Sequence, residues 1–426
     1  MSNIKLSEWD KRLLEGKEGK AKQIAMQIIV RMAEVQKAKQ LIDISQAHID
    51  GCIYTGEASL KFAETLANLK GEVSVPTTLN SISVDQQRWE KQGVDPTFAE
   101  LANQLAQAYV EMGAKPSFTC SPYQLPDKPK FGEHIAWAES NAVVFANSVI
   151  GARTNRYPDF MDICAALTGR APLSGYHLDE ERLGDVLVDL PKLDHVDDSF
   201  FPVLGYLVGG KVESQVPVVH GLNYKPTHDD LKAFGAAGAT SGAVGMFHIV
   251  EVTPEAPTVE EALGHKPPKE HWKVTMEELQ NTWRELNTAN DQKIDLIAFG
   301  NPHFSISECW KLADICRGKR KHPDVNVLIT TSRYVYEEAR KQGLTDEVER
   351  FGATFITDTC WCMIERPVIP EHTQTIMTNS AKYAHYAPGL VDCNVYFGSI
   401  EDCVRTAISG KPQVSEPKWL QRNNDT

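Results

Sequence analysis

"KIDLIAFGNPHFS", residues 293–305, is the stretch on which the fold turns. Its centre, "LIAF", is apolar without alternation, as in a strand buried on both faces, and "GNPH" then breaks it. Outward from it the same unit repeats. "SISECWKLADICRG" (305–318) has helical spacing, and "VNVLITTS" (325–332) is again an apolar, β-branched run. "SRYVYEEARKQG" (332–343) reads as a helix, with Ser332 as N-cap and Gly343 at its end. "GATFITDTC" (352–360), "TQTIMTNSAKYAHY" (373–386) and "CNVYFGSIEDCVRTAISG" (393–410) continue the series. Strands that alternate with helices predict an α/β fold with a mostly parallel sheet. In such sheets the carboxyl ends of the strands line the ligand crevice. Those ends read "GNPHFS", "TTS", "TDTC", "TNSAK" and "FGS", rich in Asn, Ser, Thr, His and Cys.

The first half has the same alternation in a looser form. Residues 6–38 read as helical, "QLIDIS" (40–45) as a short strand and "SLKFAETLAN" (59–68) as a helix. "GEVSVPTTLNSIS" (71–83) reads as a strand with a loop, and 96–113 as an amphipathic helix. "KPSFTCSPYQLP" (115–126) is expected to be a strand ending in a proline-rich loop. "HIAWAESNAVVFANSVIGARTNR" (134–156) is expected to be a helix ending near Gly151. A chain of 426 residues exceeds one ordinary core. The expected division is 1–200, 201–290 and 291–410, followed by a tail, 411–426.

Composition excludes several classes. The net charge of -13 argues against nucleic acid as a partner. No apolar run approaches the roughly 20 residues of a membrane span, and the polar, charged N-terminal stretch does not read as a signal peptide, so a cytoplasmic location is expected. No dinucleotide fingerprint, Walker A sequence or nucleophile elbow occurs. In a reducing compartment the 9 cysteines are expected to stay unpaired. Cys164, Cys309, Cys316 and Cys393 sit among apolar neighbours and read as core.

Other positions carry chemistry. Cys360 ends a strand in a polar turn, where a thiolate can be held by N–H groups or a metal. Cys362 shares its face in extended chain and reads equally well as ligand or core. Cys120 follows an apolar run in "FTCSPY", where core is the commoner role. "GARTNR" (151–156) offers arginine forks for an acid, or simply a charged helix end. "HIDGCIYTGEAS" (48–59) clusters His48, Asp50, Tyr54 and Glu57.

These blocks together resemble the aconitase X branch of the aconitase superfamily. The matching pieces are "AHIDGCIYTGEASL", "PTTLNSISVD", "FTCSPY", "WAESNAVVFANSVIGARTNR", "FHIVEVTPEA", "IAFGNPHFS", "TDTC" and "TNSAKYAHYAPG". They run in order through nearly the whole chain. The resemblance implies a multi-domain aconitase-like fold of parallel sheets flanked by helices, with a cleft at the strand ends. It also implies a hydro-lyase that uses an iron–sulfur cluster and is the large partner of a separate small swivelling subunit. Two activities are known for the family, dehydration of cis-3-hydroxy-L-proline and of mevalonate 5-phosphate.

By position, the resemblance makes Cys120 and Cys360 cluster ligands, with Cys362 in reserve. The third ligand place falls on Asn301, where the archaeal branch has cysteine. Amide is a poor ligand for such iron. A [2Fe-2S] cluster therefore fits better than [3Fe-4S] or [4Fe-4S], and hydroxyproline is favoured over phosphomevalonate. The same change leaves a non-catalytic binding protein as an alternative. His303 and Ser305 are expected to line the pocket, and Arg153 and Asn155 to hold the substrate carboxylate. Glu57, His303 and Lys382 are the candidates for proton transfer. His48, Asp50, Asn80, Ser81, Asn147, Asn379 and Ser380 complete the expected substrate contacts.

Overall fold

The computed structural model describes residues 4–193 and 195–421, so the end of the expected tail, 422–426, lies outside the described residues. The chain forms two compact units that meet in sequence at Leu183 and Gly184. No helix among the described residues is long and apolar enough to cross a membrane.

In the first unit, β1 (Leu41–Asp43), β2 (Ala47–Ile49), β3 (Thr77–Leu79), β4 (Ala136–Trp137) and β5 (Arg170–Pro172) are all short. β1 pairs antiparallel with β5, while β3-β2-β4 form a parallel sheet. Its core packs Ala25, Ile29, Leu66, Ala102, Leu105 and Tyr109 against the sheet. These lie on the helices Lys20–Val35, Glu57–Asn68 and Pro96–Glu111, whose apolar residues recur at helical spacing.

Three expectations change here. The helical reading of 6–38 resolves into Glu8–Leu14 and Lys20–Val35, broken between them at the positive-φ glycines 16 and 19. The 115–126 segment forms no regular strand: it makes one isolated bridge, Thr78 with Lys115, and then turns through a 3-10 helix at Pro122–Gln124. The expected long helix from 134 begins instead as β4, turns at Ala138 and Glu139, and is helical only over Ser140–Phe145. A π-helical turn, Ala146–Ile150, then ends at Gly151, whose φ of 74° suits glycine.

The second unit holds two parallel sheets. One contains β6 (Val186–Asp189), β7 (Pro217–His220), β8 (His248–Ile249) and β9 (Glu270–Lys273), in the order β8-β7-β6-β9. The other contains β10 (Leu296–Phe299), β11 (Asn326–Thr330), β12 (Thr354–Ile356), β13 (Thr375–Thr378) and β14 (Asn394–Phe397). Its order, β12-β11-β10-β13-β14, makes it doubly wound with the reversal between β10 and β13. The alternation read from 293 onward is borne out. β10 is buried at every position, and helices carrying Cys309, Leu312, Ala339, Val348 and Val404 cover the sheet.

Serine ends four of these strand tips and starts the next helix. The hydroxyls of Ser305, Ser332, Ser380 and Ser399 accept from the N–H three residues on. Ser305 with Glu308 and Ser399 with Asp402 form full capping boxes. A side chain at Gly300 would not fit, because a Cβ there would lie 2.1 Å from the Thr330 carbonyl oxygen.

Candidate functional site

In the first unit, the parallel sheet delivers three polar residues from adjacent strand tips. Asp50 follows β2, Asn80 follows β3 and Glu139 follows β4. The Asn80 side-chain amide donates to Asp50 and also to Glu139 Oε2 (3.4 Å). Glu139 Oε1 accepts from Asn141 Nδ2 (2.6 Å), and from the Asn141 N–H and the Ser140 hydroxyl. Asn141 Nδ2 also donates to the Cys120 carbonyl (2.9 Å), which ties the Cys120 loop to the carboxylate. Burial, with Glu139, Asp162 and Asp159 nearby, pushes the Asp50 carboxyl well above its usual range. Asp162 itself accepts from the Asp50, Gly51 and Ile163 N–H groups and so fixes the turn after β2. His48 is fully buried on β2, with Nδ1 on the Thr78 hydroxyl (2.8 Å). Burial lowers its pKa to about 4, so the ring is neutral.

The other expected contacts of this unit fall elsewhere. Asn147 is buried and exchanges hydrogen bonds with the Thr154 backbone (2.9 and 3.0 Å). Asn155 holds Ser174 and Tyr176 in the same way. Both amides close loops. Arg153 donates to the His177 carbonyl (3.1 Å) and pairs with Asp179, an exposed carboxylate. Ser81 is buried beside Asn80, whose Oδ1 accepts its N–H. Glu57 opens the helix Glu57–Asn68, is mostly exposed, and pairs with Lys61 (2.6 Å). That lysine holds the Glu57 carboxyl below its usual range, which makes it a weak proton acceptor. Glu57→Gln is accordingly expected to leave kcat within about twofold of wild type; a steady-state assay showing a loss beyond roughly tenfold would restore Glu57 to the chemistry.

In the second unit, the candidate site is the strand-order reversal between β10 and β13. A cavity of about 20 Å³ there is lined by Asn301, Glu308, Asn379, Ser380, Lys232 and Lys382. A cleft of about 580 Å³ shares Asn379 and Glu308 with it. The Ser380 hydroxyl donates to the Asn301 carbonyl, just before the cis bond to Pro302. His303 is fully buried, with Nε2 donating to the Thr359 carbonyl (2.8 Å). Ser305 Oγ is engaged in its cap and touches Ser307 (2.9 Å).

Lys232, which no sequence motif marked, is buried on the helix His228–Ser241. It pairs with Glu308 and Asp229 and reaches the His303 carbonyl (3.4 Å). Burial alone would lower its pKa, but those carboxylates overcome it and hold the lysine above its ordinary value. Burial pushes Glu308 the other way, up to about 7.

Cys360 is buried at the β12 tip, and Cys362 is partly exposed two residues on. Cys120 is buried in the first unit. No disulfide joins the described cysteines, as expected, and Cys164, Cys309, Cys316 and Cys393 are buried core residues. No set of three or more His, Cys, Asp or Glu side chains gathers as a metal site among the described residues. Three buried polar atoms near the second-unit tips lack partners: Asn301 Nδ2, Thr359 Oγ1 and Asn379 Oδ1. Such orphaned groups beside a strand-tip thiol fit a bound group that brings its own donors and acceptors. Thiolate is the donor type that an iron–sulfur cluster takes, and Cys360 offers one at the β12 tip. Asn301 Nδ2, a hydrogen-bond donor, suits a sulfide or anionic oxygen better than iron.

Residues 3–180, 184–284 and 294–409 match the aconitase X first, second and third domains respectively. The chain is 54% identical to the cis-3-hydroxy-L-proline dehydratase of Pseudomonas aeruginosa, over 98% of this chain and 72% of that protein. It is 35% identical to the phosphomevalonate dehydratase large subunit of Methanocaldococcus jannaschii, over 94% of this chain and 99% of that one. The crystal structure of Thermococcus kodakaraensis aconitase X in its holo-form superposes with a TM-score of 0.85 at 32% identity. That match covers 95% of this chain and all of the other.

Proposed function

The chain belongs to the aconitase X family, and from that we propose that it is a dehydratase that removes water from cis-3-hydroxy-L-proline to give a pyrroline-2-carboxylate. The observation that carries the reading is the cavity at the β10/β13 reversal, where strand tips converge and two lining amides, Asn301 and Asn379, each keep a buried polar atom without a partner. The higher identity to the hydroxyproline enzyme, 54% against 35%, favours that substrate over mevalonate 5-phosphate.

In this reading Cys120 and Cys360 hold an iron–sulfur cluster, of the two-iron type, with Cys362 the next candidate donor. When bound, the cluster supplies a Lewis acid for the departing hydroxyl. Ser380, Asn379 and Asn301 orient the substrate, and Lys232 fixes the 300–303 turn through the His303 carbonyl. Lys382 and His303 are the candidates for moving the proton taken from the carbon beside the carboxylate. A separate small subunit belongs to the same reading, supported by the archaeal relative's designation as a large subunit. We place the enzyme in the cytoplasm, where an exposed cluster stays reduced.

Anaerobic purification tests this directly. The protein should be brown, carry iron and sulfide, and convert cis-3-hydroxy-L-proline once its partner is present. A colourless, iron-free protein that stays inactive in that complex sinks the proposal.

A further inference from the structure

The size and polarity of the cavity at the β10/β13 reversal narrow what it holds. At about 20 Å³ it takes one water-sized group, too little for a ring or for both oxygens of a carboxylate. Asn301, shortly past β10, and Asn379, just past β13, line it from the two strands that flank the reversal. Their backbone is fixed. The Ser380 hydroxyl donates to the Asn301 carbonyl and accepts from the Tyr383 N–H, and Gly300 packs on Thr330 too closely for a side chain. Lys232 also lines the cavity, but its three N–H donors meet three acceptors, Glu308, Asp229 and the His303 carbonyl.

Two lining atoms are left over, and they are of opposite kinds. Asn301 Nδ2 is a donor and Asn379 Oδ1 an acceptor, and each is buried without a hydrogen-bond partner. Asn301 as a whole is only 5% exposed. A group that satisfies both accepts one hydrogen bond and donates another, which a hydroxyl does with a single oxygen. A carboxylate oxygen satisfies Asn301 but sets acceptor against acceptor at Asn379. An ammonium sets donor against donor at Asn301. The cavity shares Asn379 and Glu308 with the cleft of about 580 Å³, so a ring lying in that cleft reaches the cavity with a hydroxyl. All of these residues belong to the second unit.

We propose that Asn301 and Asn379 form the subsite for the hydroxyl that the substrate loses, and are specificity-determining residues for a 3-hydroxylated ring acid over its deoxy counterpart. The inference rests on the hydroxyproline reading and names the group that enters the cavity. A site built to hydrogen-bond a hydroxyl rejects the analogue that lacks it. The amide at 301, a poor donor to iron, suits this use.

Calorimetry on the anaerobically purified full chain, before its partner is added, compares cis-3-hydroxy-L-proline with L-proline. Turnover of the hydroxylated acid is measured in parallel with the partner present. The wild type should bind the hydroxylated acid roughly 10- to 100-fold more tightly. Asn301→Leu and Asn379→Leu, close in volume, should each bring that ratio towards one with the affinity for L-proline little changed. Should Asn301→Leu lose visible absorbance or fail to fold, Asn379→Leu makes the comparison, because Asn379 is no candidate for the iron. A wild-type ratio near one, or no binding of either acid at millimolar concentration, overturns the subsite even if hydroxyproline is turned over. A ratio that survives the substitutions means that the cavity holds only a structural water, and overturns the assignment to these amides. A ratio that is present in the wild type and lost in the variants, without any dehydration by the complex, upholds the subsite and sinks the functional reading instead.

Discussion

Cys360→Ser is expected to abolish the visible absorbance of the anaerobically purified protein and to cut turnover by on the order of 1000-fold, the equivalent of losing several kcal/mol of Lewis-acid stabilisation. The turn around this thiol is held by hydrogen bonds from other groups. The turn before it is held by Arg333 on Asp358 (2.7 Å), by Thr359 N–H on the Thr357 carbonyl (2.8 Å) and by His303 on the Thr359 carbonyl. After it, the Met363 N–H donates to the Cys360 carbonyl (2.9 Å) and Trp361 Nε1 to the Phe299 carbonyl (2.7 Å). Serine occupies nearly the same volume, so circular dichroism and thermal midpoint should stay close to wild type. Cys362→Ser discriminates the two thiols, and should cost less absorbance because Cys362 is the more exposed. Cluster absorbance retained in Cys360→Ser would refute the assignment.

The largest effect on stability is expected from Lys232→Met. The lysine side chain is only 3% exposed and lies between Glu308 and Asp229. Its removal leaves two carboxylates facing each other with no cation between them, a loss of about 3–5 kcal/mol. The pH dependence follows from Glu308, which burial already raises to about 7 and which loses the lysine that lowers it. A carboxyl raised in the folded state binds more protons there than when unfolded. Its stabilising contribution is present at low pH and is lost as pH rises from about 4.5 through the folded pKa. The variant should therefore be least impaired near pH 5 and most impaired near pH 8 by urea unfolding. Glu308→Gln in the same background should recover part of the loss. A deficit below about 1 kcal/mol at pH 8 would mean that the pair contributes little.

Much of the second unit was legible in the sequence because its strands are apolar on both faces and each is followed by a helix of clear period. The order of strands was not legible, and with it the reversal between β10 and β13 that positions the cavity. The polar tips were read as ligand groups, and part of that signal has a local cause. Ser305, Ser332, Ser380 and Ser399 are N-caps, and "SISE" (305–308) is a capping-box pattern visible in the sequence.

The first unit was harder to read. β4 spans two residues, too few to show a period, so "HIAWAES" disappeared into the helix pattern behind it. Glu139, which turns that strand into the helix, was missed for the same reason. Lys232 was missed because a lysine in "HDDLKAF" looks like an exposed helical charge, and only tertiary packing buries it. The amides of Asn147 and Asn155 looked like ligands and instead close loops, the commoner use of asparagine in irregular backbone.

The central claim is the choice of substrate. Its most direct test is to assemble the anaerobic holoenzyme with its small subunit and measure kcat/KM for cis-3-hydroxy-L-proline and mevalonate 5-phosphate in the same preparation. The account predicts turnover of hydroxyproline to a pyrroline-2-carboxylate, with mevalonate 5-phosphate at least about 1000-fold poorer, a difference of roughly 4 kcal/mol in transition-state binding. Turnover of the phosphorylated acid alone would contradict it.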